Sequence, residues 1–293
     1  MLAVTAMLSV QLGSAWSVPA MSRVGPAGVA WLRLTWGALA FVALGRPRLR
    51  TVPARDLRLA VVLGIAVGLQ TTLFLAAIER IPLGTSVAVE FLGPLGVAAA
   101  RGRGGASPSW PLLALSGVAL LSEPWRGGAN LPGLAFAAGA AVGWALYIVL
   151  TQRVGDRFTG LSGLALTTPI AAITAAVVGI PQSAGHLTAR VVVVTAGLAL
   201  LLPIIPYAFE LAALRRMTHH AFGTLMALEP GFGVLLGLAV LHQRPAAIQV
   251  GGMALVITAG AAAQRHGTRG AGVTVPPGPV DAPTRVDRDS RFG

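Results

Sequence analysis

The segment Gly84-Thr85-Ser86-Val87-Ala88-Val89-Glu90 returns as Gly223-Thr224-Leu225-Met226-Ala227-Leu228-Glu229, so an apolar stretch ending in a carboxylate occurs twice in one chain. An acid inside a lipid-spanning helix costs about 2.5 to 3.5 kcal/mol to insert and persists mainly where it faces a cavity or a partner. Acids at matching places in two repeats can build a midplane site for a substrate ammonium or a proton. Proline stands beside both: Pro94 clashes with the carbonyl four residues earlier, that of Glu90, and Pro230 directly follows Glu229. Both helices should therefore break at their acids and expose backbone polar groups there. A protonated carboxyl bonded to a neighbouring helix is the purely structural alternative.

Few other residues in the apolar runs carry chemistry. Arg33 is the one basic residue well inside such a run; its guanidinium could pair a substrate carboxylate or snorkel outward to the membrane surface. Glu210 stands near Arg215 and follows Pro203, Pro206 and Tyr207, which suits either a gate or an interfacial ion pair. Gln11, Ser14, Gln70, Thr71, Trp144, Tyr147 and Thr224 are polar or amphipathic groups in apolar surroundings, able to bond a small polar ligand or another helix. His219-His220 has no third ligand at metal spacing. No G-x-x-x-x-G-K-[ST], H-E-x-x-H or G-x-S-x-G motif and no cysteine is present, so no cofactor, metal or catalytic residue is expected and any driving force must come from a gradient.

The elements that must hold these residues follow from composition. Hydrophobic residues are 55% of the 293 and charged residues 11%, against about 25% charged in soluble domains. This is a polytopic membrane protein. Apolar runs bounded by Arg, Pro or Gly predict spans near 2–21, 26–44, 59–78, 82–100, 110–122, 131–151, 160–180, 190–213, 220–241 and 246–264. With no water in the bilayer core each backbone amide needs an internal partner, which makes the runs helices rather than barrel strands. Residues 1–20 lack a basic leading region and are read as the first span, not as a signal peptide. Glu90 and Glu229 lie about eight and nine residues into their spans, a depth of about 12 to 14 Å in each case.

The formal charge of +12 comes from 22 basic residues, all arginine. They occupy short loops and the C-terminal stretch without aromatic interleaving, which argues for topology and against nucleic acid. One side of the membrane receives 13 of them and the other five, counted from Arg46 and from Arg23 respectively. Both termini are thus expected in the cytoplasm. Further echoes support duplication: Gly13, Ala15 and Arg23-Val24-Gly25 match Gly143, Ala145 and Arg153-Val154-Gly155, and Leu75-Ala76-Ala77-Ile78 matches Leu211-Ala212-Ala213-Leu214, in the same order in each half. An odd number of spans per half inverts one half relative to the other. The expected units are a first five-helix repeat over 1–125, a second over 126–265, and a disordered cytoplasmic tail over 266–293, whose Val275-Pro276-Pro277-Gly278-Pro279 cannot bury a core. Gly64/Gly68, Gly139/Gly143 and Gly233/Gly237 have the four-residue spacing of close helix contacts.

Trp31-Leu32-Arg33-Leu34, Ile81-Pro82-Leu83-Gly84 running into Val89-Glu90-Phe91-Leu92-Gly93-Pro94, Trp144-Ala145-Leu146-Tyr147 and Leu228-Glu229-Pro230 resemble the EamA-type branch of the drug/metabolite transporter superfamily, most closely its threonine/homoserine exporter group. The likeness extends over about 2–264, and Glu90-Phe91-Leu92-Gly93-Pro94 is its most specific block. It implies a ten-helix inner-membrane exporter of small amino acids, with a central cavity between two inverted halves and proton-coupled efflux. Where such families often carry a Gly-Glu pair after the ninth span, this chain reads Leu241-His242-Gln243-Arg244. A broader metabolite or drug exporter would rely on Trp144 and Tyr147 more than on Arg33. A membrane-embedded enzyme acting on lipid-linked substrates would need a catalytic constellation that the sequence does not offer.

The arginine asymmetry makes a direct prediction: a reporter fused after Gly293 is active in the cytoplasm. Activity only on the outer face would overturn both the topology and the inverted repeat.

Overall fold

The computed structural model describes residues 2–46, 52–101, 109–126, 130–155, 161–206, 209 and 226–266. Among these, every regular element is helical. In chain order they are α1 (Leu2–Gly45), α2 (Ala54–Ile78), α3 (Leu83–Glu90), α4 (Leu92–Arg101), α5 (Ser109–Ser122), α6 (Leu131–Gly155), α7 (Ser162–Ser183), α8 (Ala189–Ala199), α9 (Glu229–Leu241) and α10 (Ala247–His266). Five stretches are long and apolar enough to cross a membrane: Val4–Gly45, Ala54–Ile78, Leu83–Ala100, Leu131–Thr151 and Ser162–Ser183. Large apolar side chains also face outward, with Val177 73%, Val193 71% and Ile173 67% exposed. A bundle apolar inside and out is an all-α polytopic membrane protein.

α1 differs from the expectation of two spans joined by a loop. It is helical on both sides of Gly25, where the backbone turns at φ 72° and ψ 166°. Pro26 drives this, since it disfavours helical geometry in the residue before it, and only glycine takes such a positive φ cheaply. The two arms double back: Arg33 Nη1 lies 3.2 Å from Ser17 Oγ, whereas sixteen residues of straight helix would separate them by about 24 Å. The second arm starts with free amides, and Gln182 at the end of α7 supplies their acceptor, its Oε1 taking Ala27 N–H at 2.8 Å and Gly28 N–H at 3.3 Å.

Glycine sets the helix contacts that surround the two acids. On α2, a Cβ at Gly68 would come within 2.6 Å of the Ala171 carbonyl oxygen of α7. On α6, a Cβ at Gly143 would come within 2.8 Å of Gln70 Cβ and one at Gly139 within 3.0 Å of Leu73 Cδ1. α5 and α10 meet at Gly117, where a Cβ would come within 2.6 Å of the Gly252 carbonyl oxygen. Past α8 the helix loosens into a turn over Leu200–Ile204 in which Leu202 is extended, at φ −159° and ψ 112°. Ser9 Oγ donates to the Leu201 carbonyl at 2.7 Å, and Gly13 lets α1 close onto Leu201 and Leu202.

Two glycines of α4 separate close packing from helix propensity. Gly93→Ala drives a methyl group into the Ala141 carbonyl oxygen of α6, while Gly96 has nothing within 4 Å. Thermal unfolding in detergent should show Gly93→Ala destabilised by about 1 to 3 kcal/mol and Gly96→Ala unchanged or stabilised by about 0.4 to 1 kcal/mol. Equal effects would mean that the α4–α6 contact is not made.

Candidate functional site

Both repeated segments break at their acids. Glu90 is the last residue of α3 and α4 begins at Leu92, because Pro94 has no amide to give the Glu90 carbonyl. Glu229 opens α9 after a turn at Ala227 and Leu228, with Pro230 next, where its missing N–H costs nothing. Each carboxylate is buried to 6% exposure.

The helices carrying them cross. Gly84 lies against Val234; a Cβ on Gly233 would meet Val87 Cγ2 at 3.1 Å, and one on Gly237 would meet Leu83 Cβ at 3.7 Å. Numbers fall along α9 as they rise along α3, so the pair is antiparallel, and this register carried onward sets position 90 level with position 229. The start of α3 is held by the end of α9: Gln243 Oε1 accepts Leu83 N–H at 3.0 Å, and Gln243 N–H closes on the Gly237 carbonyl at 3.0 Å.

Each acid receives a glutamine amide from another helix. Gln70 Nε2 of α2 donates to Glu90 Oε1 at 3.1 Å, and Gln11 Nε2 of α1 donates to Glu229 Oε1 at 3.4 Å. Bonds of this kind between membrane helices average about 0.6 kcal/mol, so their main effect is orientation. Trp144 packs edge-to-face on Phe91, ring centres 6.2 Å apart at 70°, and so braces the break beside Glu90.

The remaining sequence candidates make other contacts. Arg33 is 3% exposed, and its guanidinium stays inside the bundle on Ser17, which donates in turn to the Gly13 carbonyl at 2.7 Å. Among the described residues the only ion pair is Arg80 with Glu79, at 2.6 Å. Tyr147 packs against the cluster of Leu63 and Leu150 between α2 and α6. Ser14 is spent within its own helix, on the Val10 carbonyl at 2.9 Å. Glu210, Tyr207, Thr224 and His219-His220 lie outside the described residues, as does the tail past His266. A cleft of about 460 Å³ between the second arm of α1 and α7, lined by Trp31, Leu39, Pro169 and Ile173, is apolar and involves neither acid. Ser17 and Gln182 escaped the sequence reading. Each is a polar side chain in an apolar run, whose role is legible only once the partner helix is known.

An all-helical, multi-pass bundle with two buried acids, each bonded to a glutamine, has the build of a polytopic membrane protein. The chain is 35% identical over 260 residues to the threonine/homoserine exporter RhtA of Escherichia coli (strain K12) and to that of Salmonella typhimurium (strain SL1344), covering 87% of this chain and of each relative. The model of the EamA-like transporter family matches residues 131–262. A solved crystal structure aligns with TM-score 0.59 and 22% identity over 92% of this chain and 97% of that one, which is a likeness of fold. The chain belongs to the EamA-like transporter family.

The glutamine contacts predict pairwise coupling. Double-mutant cycles on unfolding should give about 0.5 to 1.5 kcal/mol for Gln70/Glu90 and for Gln11/Glu229, and near zero for the crossed pair Gln70/Glu229. Coupling in the crossed pair alone would refute the arrangement.

Proposed function

We propose that the chain is a secondary-active exporter of small zwitterionic amino acids of the threonine or homoserine kind, driven by protons. The observation that carries this reading is the crossing of two helices broken at Glu90 and Glu229, each acid buried and held by one glutamine. A carboxylate lone pair can bind a proton or an ammonium N–H but not both at once. An entering proton therefore displaces an amine cargo, and that exclusion couples the two fluxes. Arg33 would orient the cargo carboxylate through its paired donors, with Gln11, Gln70, Trp144, Tyr147 and Glu210 completing the lining or the gate.

The architecture proposed with it is ten spans in two inverted five-helix units, 1–125 and 126–265, in the inner membrane with both termini cytoplasmic. Support comes from three sides. α3, which carries the first repeated segment, runs antiparallel to α9, the helix into which the second repeated segment leads, and this suits an axis in the membrane plane. α1 folds into two arms at Gly25, which adds a crossing to its stretch. The family model matches a unit, 131–262, of about half the chain. The relatives named as threonine/homoserine exporters point to the cargo.

In vesicles with an imposed proton gradient, Glu90→Gln and Glu229→Gln should each abolish proton-driven threonine export while inserting normally, since loss of a charge eases insertion. Arg33→Gln should lower export of carboxylate-bearing cargo by about tenfold more than that of carboxylate-free analogues. Normal proton-driven export by both glutamate variants would refute the site. Equal losses for both cargo types would remove Arg33 from the carboxylate role.

A further inference from the structure

Among the described residues, three glutamine side chains cap backbone amides. Gln182, Gln243 and Gln249 each spend their side-chain oxygen on a backbone amide, those of Ala27 and Gly28, of Leu83, and of Ala246. Gln11 does not. Its side chain is 2% exposed, its Nε2 donates to Glu229 at 3.4 Å, and its Oε1 is buried with no hydrogen-bond partner among the described residues. A buried carbonyl oxygen without a donor is costly, and most such atoms in folded proteins are satisfied.

The orientation of this amide is dictated by chemistry. An ionised carboxylate only accepts, so Gln11 must turn its NH2 toward Glu229 and its oxygen away. The tight seat of α1 leaves little freedom, because Gly13, two residues on, packs against Leu201 and Leu202. Glu229 and Gln11 together thus present a carboxylate with an acceptor oxygen beside it. The ligand chemistry that fits is a cation with several N–H donors, which is a primary ammonium.

Resting on the amino-acid export proposed above, we propose that Gln11 is a specificity-determining residue whose side-chain carbonyl accepts an N–H of the cargo's primary ammonium while Glu229 balances its charge. Protonation of Glu229 reverses the amide: the new carboxyl O–H becomes a donor, Gln11 Oε1 turns to accept it, and the ammonium loses the carboxylate charge together with the Gln11 acceptor. One proton then removes a charge and a hydrogen-bond acceptor in the same step, which sharpens the exclusion between proton and cargo.

Two readouts on the full-length protein test this. In proteoliposomes, Gln11→Met removes the amide at similar volume and should raise the KM for threonine by about tenfold, the worth of one charge-assisted hydrogen bond, with a smaller change in kcat. In the wild type labelled with carbonyl-13C glutamine, adding threonine should lower the stretching frequency of one buried side-chain carbonyl, and that band should be missing from Gln11→Met. The infrared arm uses the unmodified protein and so stands even if the variant folds poorly. A wild type that exports threonine with no shift in any glutamine carbonyl would overturn the proposal, as would an unchanged KM in the variant; in either case Gln11 Oε1 serves water or packing alone. A wild type that neither binds nor exports threonine or homoserine would overturn the export reading itself, and this proposal with it.

Discussion

A carboxylate inside a lipid-spanning bundle has no water to turn to, and the chain must supply its surroundings. Here that supply depends on one contact, the crossing of α3 and α9, where Gly84 and Gly233 let two backbones approach closely enough to fix an antiparallel register. The register sets Glu90 and Glu229 level with each other. Pro94 ends α3 at Glu90, Pro230 stands in the first turn of α9 that Glu229 opens, and the neighbouring helices deliver the amides. α2 brings Gln70 because Gly143 leaves space for it, and α1 brings Gln11 because Gly13 seats that arm on Leu201 and Leu202. Removal of either crossing glycine would shift both acids relative to their donors.

Much of this was legible in the sequence because the bilayer imposes simple rules. Apolar length gave the helices, and the expected runs 82–100, 110–122, 131–151 and 246–264 lie close to the helices observed. The prolines at 94 and 230 foretold breaks at the acids, since a missing amide acts at a fixed distance along its own helix. The glycine pairs marked close contacts for a similarly local reason. What the sequence could not reveal is which helix meets which. That Gln70 answers Glu90, that Gln11 answers Glu229, and that Arg33 rests on Ser17 across a hairpin are contacts between distant residues, set by packing. The turn at Leu200–Ile204 was also unforeseen in form, although Pro203 hinted at an irregularity.

The Leu241-His242-Gln243-Arg244 stretch at the end of α9 has a physical account. His242 sits at φ 55°, the left-handed conformation that glycine adopts at helix ends, and Gln243 provides through its neutral oxygen the acceptor that a carboxylate would offer to Leu83 N–H. An acid there would add charge at the start of α3 and some favourable interaction with its dipole; the glutamine keeps the bond without the charge. The junction between α9 and α3 is thus held by Gln243 without a charge.

The central claim is that cargo and proton exclude each other at the paired glutamates, and proton release on cargo binding measures it most directly. Threonine would be titrated into purified protein in weakly buffered detergent solution across a range of pH, with Glu90→Gln and Glu229→Gln as controls. The account predicts that threonine binding releases protons where the site is protonated, that apparent affinity rises with pH over that range, and that replacing the acids reduces the release. Threonine binding with no proton exchanged at any pH, in a wild type that still couples export to the gradient, would contradict it.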